Sequence, residues 1–73
     1  MGKEYRLAHS ARIGGIQVMR GDILREKQTN KTVKVLNVLK NAEGQELLQV
    51  EYNGPSSSGA IFQKPVDAFC FLG

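Results

Sequence analysis

The chain has 73 residues, one cysteine, one histidine and a formal net charge of +3. A chain this short holds one core and buries only about 60% of its extended surface, so it needs tight packing or association. Cys70 cannot close an intrachain disulfide, and Cys70 with His9 falls short of the ligands of a tetrahedral zinc site.

Association follows as an expectation, and a homo-oligomer is the simplest form. A lone cysteine fits a reducing compartment. No segment reads as a signal peptide or a membrane span, so a cytoplasmic protein without membrane contact is expected. Charge is unevenly placed along the sequence. Residues 1–40 carry nine Lys/Arg and three acids, while residues 41–73 carry one Lys and four acids. A positive side and a negative side are expected if the fold keeps these halves apart, and such a surface steers anionic partners.

In "EYRLAHSARIGGIQVM", Tyr5, Leu7 and His9 alternate with polar neighbours as a half-buried strand does. Gly14-Gly15 permits a bend or a close backbone approach. Ile16 and Val18 then share one face. In "RGD", Gly21 supplies backbone freedom and Asp22 a local side-chain hydrogen bond, which predicts a turn. "DILREK" is a strand that enters a polar turn at "QTNK". "TVKVLNVLK" follows, with Val33, Val35 and Leu39 on one face and Leu36 and Val38 on the other. A strand buried on both faces in so small a chain points to a closed barrel or a subunit interface.

"NAEGQ" predicts a hairpin loop with Gly44 at positive φ. "ELLQVEYN" places Leu48, Val50 and Tyr52 on one face. "NGPSSSG" is a longer loop, and "AIFQK" is a further strand. Pro65 lacks an N–H for the ladder, "PVDA" fits one tight helical turn near residues 65–68, and "FCFLG" forms a last short strand. Cys70 alternates with Phe69 and Phe71 there and reads as a packed strand residue.

The order of hairpins, one tight turn and a final strand resembles a small SH3-like barrel. The likeness covers roughly residues 20–73 and rests on "GDIL", the loop glycines and "PVDAF". The expected fold is therefore all-β, a five- to six-stranded barrel over residues 20–73 with residues 1–19 as an N-terminal strand or extension. "GDILREK" and "GAIFQKPVDAF" are also similar to the frame of the plasmid-borne, trimethoprim-resistant dihydrofolate reductases. That family builds a pore from four chains around a Val-Gln-Ile-Tyr-Pro motif. The matching positions here are Ile61, Phe62, Gln63, Lys64 and Pro65. The glutamine is displaced by one residue, Lys64 stands for the tyrosine, and the sequence has no tryptophan. The resemblance therefore implies the frame and not the activity.

No residue spacing argues for a catalytic triad, and the expected protein is not an enzyme and needs no cofactor. The cations Arg20, Arg25, Lys27, Lys31 and Lys34 gather around the first clear hairpin. They predict a basic face for an anionic partner, DNA or RNA. Ser56, Ser57, Ser58 and Phe62 are candidate rim residues, because small loop residues expose N–H groups and an aromatic ring stacks on a base. The alternatives are a protein-interaction module, such as an accessory or inhibitor protein of a phage or mobile element, and an oligomeric pore enzyme resembling those reductases.

Overall fold

The structure, a computed structural model, describes residues 4–53 and 60–72. Strands β1 (Tyr5–Ala8), β2 (Ser10–Ile13), β3 (Ile16–Met19), β4 (Ile23–Glu26), β5 (Thr32–Asn41), β6 (Glu46–Tyr52) and β7 (Ile61–Pro65) lead to a 3-10 turn at Val66–Ala68 and then to β8 (Phe69–Phe71). The fold is all-β. A six-stranded sheet runs β7-β6-β5-β4-β8, with β1 also paired to β5, and β2 and β3 form a separate hairpin. Every pairing is antiparallel. No helix among the described residues is long and apolar enough to cross a membrane.

The tight turns follow their residues. Ile13 pairs with Ile16 across a two-residue turn, and Gly14 and Gly15 both take positive φ, 58° and 83°. That is the twist a two-residue hairpin needs, and glycine adopts it without a Cβ penalty. Asn41 organises the next loop: its Oδ1 accepts from the N–H groups of Glu43 (3.0 Å) and Gln45 (2.9 Å). Gly44 sits at φ 85°, as its sequence position predicts. Asp22 Oδ2 accepts from the Met19 N–H at 2.8 Å, and Gly21 has φ 96°, so "RGD" is a turn.

Strand β5 corrects the expected faces. The register against β6 shifts between Val35 and Asn37, which leaves Leu36 as the extra residue of a β-bulge. A bulge inserts one residue and so reverses the alternation that follows. Val33 and Val35 before it and Val38 after it are all buried, whereas Leu36 and Leu39 are half-buried. The apolar positions of both parities thus make one core face, not two.

The buried core is Ala11, Val18, Leu24, Val33, Val35, Val38, Leu48, Val50 and Phe69. Ala11 and Val18 face each other on the β2–β3 hairpin, so this hairpin contributes to the same core as the strands that follow. Strand β1 differs from its expected alternation. Leu7 is 75% exposed, while Tyr5 and Ala8 are half-buried. Cys70 is half-buried on β8, opposite Arg25.

Candidate anion-binding crevice

Strand β5 uses its two edges differently. One edge pairs with β6 along nearly its whole length. The other is shared: β4 covers Thr32 to Lys34, and β1 covers Val38 to Asn41. Gly21 N–H donates to Val35 O and Val35 N–H to Asp22 O, both at 2.8 Å, which extends the β4 side by one residue. Between the two partners lie Leu36 and Asn37. There the chain leaves the sheet after Ala8, makes the β2–β3 hairpin, and returns at Arg20.

Two adjoining concave surfaces lie at this parting. Arg20, Gly21, Lys34, Val35, Leu36 and Asn37 line the first. Leu7, Ala8, His9, Met19, Arg20 and Asn37 line the second. Arg20 and Asn37 belong to both, and among the described residues no carboxylate lines either. Arg20, Lys34 and His9 are exposed. Asn37 Nδ2 donates to Gln49 Oε1 at 2.7 Å, which fixes the amide on the sheet.

The five predicted cations separate into groups. Arg20 and Lys34 meet at the crevice. Arg25 lies opposite Thr32, and Ile23 opposite Lys34, so Arg25 and Lys34 share one face of the sheet. Lys31 is turned the other way, its Nζ 5.0 Å from the centre of the Tyr52 ring. Lys27 is exposed in the β4–β5 turn, where its N–H donates to Ala68 O at 2.9 Å. Ser56, Ser57 and Ser58 lie outside the described residues. Phe62 is not on a rim. It pairs with Val50 on the core-facing side, with its ring 5.0 Å from Tyr52 and 6.5 Å from Phe69, while its neighbour Ile61 takes the exposed position.

The charged halves of the sequence do not form opposite sides. β6 pairs with β5, which sets Glu51 opposite Lys34 and Glu46 opposite Lys40. Lys40 and Glu46 form an ion pair at 3.2 Å. Acids of the second half thereby lie among cations of the first.

Glu26 anchors the hairpin that carries the cations. Its carboxylate is fully buried. Oε1 accepts from Thr29 Oγ1 at 2.6 Å and from the Tyr52 hydroxyl at 3.2 Å. Oε2 accepts from Lys64 Nζ, which also donates to Gln28 Oε1 at 3.2 Å. Burial alone pushes the Glu26 carboxyl up, but the hydrogen bonds from Lys64, Thr29 and Tyr52 and the Lys64 charge outweigh it and hold the group below its ordinary value. Both oxygens are occupied, so this carboxylate ties β4, β6, β7 and the turn together rather than serving a ligand.

Leu7, His9, Met19 and Asn37 are absent from the site that the sequence predicts. Nothing in their local sequence marks them, because three different segments bring them together. The one usable signal is the change of apolar parity within "TVKVLNVLK", which marks the bulge beside the crevice. Compared with family models, with curated proteins and with solved structures, the chain matches none.

Proposed function

We propose that this protein is a small non-enzymatic binding module of SH3-like barrel form that holds a polyanion, DNA or RNA, on the cations of residues 20–34. The strand order β7-β6-β5-β4-β8 supports the barrel form, as does the 3-10 turn joining its two end strands. Phe62 of β7 and Phe69 of β8 lie at opposite ends of that order, yet their rings are 6.5 Å apart.

One observation carries the binding reading. Arg20 and Lys34 line one concave surface that has no carboxylate among its described lining residues. Neither cation is held in an ion pair among the described residues. Exposed cations of this kind are suited to phosphate oxygens, and their association with a polyanion releases counterions. Arg25 extends the same charge along the sheet face.

The test is fluorescence anisotropy with short labelled DNA and RNA at two salt concentrations. Steep weakening with salt is expected. Arg20→Ala with Lys34→Ala should weaken binding for every sequence and reduce the salt slope by about one for each phosphate left without its cation. Lys40→Ala, which removes a cation already paired with Glu46, should change little. Absence of binding at low salt, or an Arg20→Ala/Lys34→Ala variant that binds as the parent does, overturns the reading.

A further inference from the structure

We infer that the crevice takes single-stranded rather than duplex nucleic acid, with phosphates on Arg20 and Lys34 and an unstacked base against Leu7 and Met19. The inference rests on the polyanion reading above and names the form of polymer that fits.

The second concave surface differs from the first in character. Leu7 is 75% exposed and Met19 is 40% exposed, and they line it together with Ala8 and His9. Leaving large apolar side chains in water forfeits about 25 cal/mol for each Å² that could be buried. They stand beside Arg20, which belongs to both surfaces. A polyanion drawn to Arg20 and Lys34 therefore passes an apolar patch within one crevice. In a duplex the base faces are stacked on one another and only groove edges and backbone are offered. In a single strand the faces are free to stack on a ring or guanidinium plane, which His9 and Arg20 offer here, and to bury apolar area against Leu7 and Met19.

Asn37 adds a polar group at the junction. Its Nδ2 is engaged by Gln49, and its Oδ1 takes no hydrogen bond among the described residues. Asn37 lines both concave surfaces, so its amide adds an acceptor for a base amino group. The bulge at Leu36 and the parting of β1 from β4 produce this junction, and bulges are common where a sheet must re-aim side chains beside a site.

The experiment measures anisotropy of the full chain with a labelled single strand and with its duplex of the same sequence, at two salt concentrations. The proteins compared are the parent, Leu7→Ser/Met19→Ser and Arg20→Gln/Lys34→Gln, each checked for fold by circular dichroism. Both apolar side chains are exposed, so their replacement spares the core. The expected result is tighter binding of the single strand. Leu7→Ser/Met19→Ser should lose about tenfold in single-strand affinity, the equivalent of about 55 Å² of apolar surface no longer buried, with the salt slope unchanged. Arg20→Gln/Lys34→Gln should lose salt slope on both polymers. Equal or tighter duplex binding, or an unchanged Leu7→Ser/Met19→Ser variant, overturns the single-strand inference while salt-dependent binding leaves the polyanion reading standing. Failure of the parent to bind either polymer at low salt, with retention of an acidic polypeptide, overturns both and assigns the crevice to protein.

Discussion

Glu26 and Lys64 interact asymmetrically because only one of them is sealed from water. Glu26 is fully buried, and the Lys64 side chain is 34% exposed. Replacing Lys64 with Met leaves a buried carboxylate without its cation, which should cost about 3 kcal/mol, the low end for a broken buried pair because Lys64 is partly exposed. Glu26→Gln keeps an acceptor for Thr29 and Tyr52 and frees Lys64 to reach solvent, so about 1–2 kcal/mol is expected. Denaturant unfolding at neutral pH checks the order, with Lys64→Met the less stable. The pH response has a definite sign. The folded-state carboxyl lies below its ordinary value, so its contribution is present above the unfolded-state pKa. That contribution is lost as pH falls through the lowered folded value. The parent should lose stability over that acid window, and Glu26→Gln should lose less. The Lys64 side chain is directed to Glu26 and so is committed to this buried contact.

Two strand elements carry the arrangement of the crevice. The β2–β3 hairpin returns the chain to Arg20, and its turn relies on positive φ at Gly14 and Gly15. A Cβ at Gly15 meets no atom within 4 Å, so Gly15→Ala costs only its backbone conformation. That cost is about 1 kcal/mol. Gly14→Asn should be close to neutral, because Asn tolerates the left-handed region. Thermal melts of both variants check this pair. The bulge in β5 makes a contrary prediction to a straight ladder, where Leu36 and Val38 would share one face. With the bulge, Val38 is buried at 2% exposure and Leu36 is half-buried. Val38→Ala should therefore cost about 2 kcal/mol and Leu36→Ala less than about 1 kcal/mol, read from denaturant midpoints.

For the whole molecule, a small core and a scattered charge set the behaviour. Among the described residues nine buried apolar side chains form the core, and five of them are valines from β3, β5 and β6. So slight a core makes stability responsive to ligand. A single strand present at a hundred times its Kd should raise unfolding free energy by about 2.7 kcal/mol, seen as a higher Tm. The shift should vanish in high salt, as counterion release requires. Arg20 and Lys34 lie together on one concave surface. The pairing of β6 with β5 disperses the larger asymmetry of the sequence.

The all-β class, the turns and most strands are legible in the residues themselves. Gly14-Gly15, Gly21-Asp22, Asn41 to Gly44 and Pro65 act through their own backbone chemistry, which needs no distant partner. Leu48 and Val50 declare their face by simple alternation, and both are buried. The rest belongs to the assembled fold. Leu36 leaves the ladder because β6 fixes the register on either side of it. Glu26 finds Lys64 and Tyr52 far along the chain. Arg20, Lys34, Leu7 and Met19 share a crevice because β1 and β4 divide one edge of β5 between them. Local propensity sets a strand and its turn, whereas the choice of neighbours depends on burying one common apolar face.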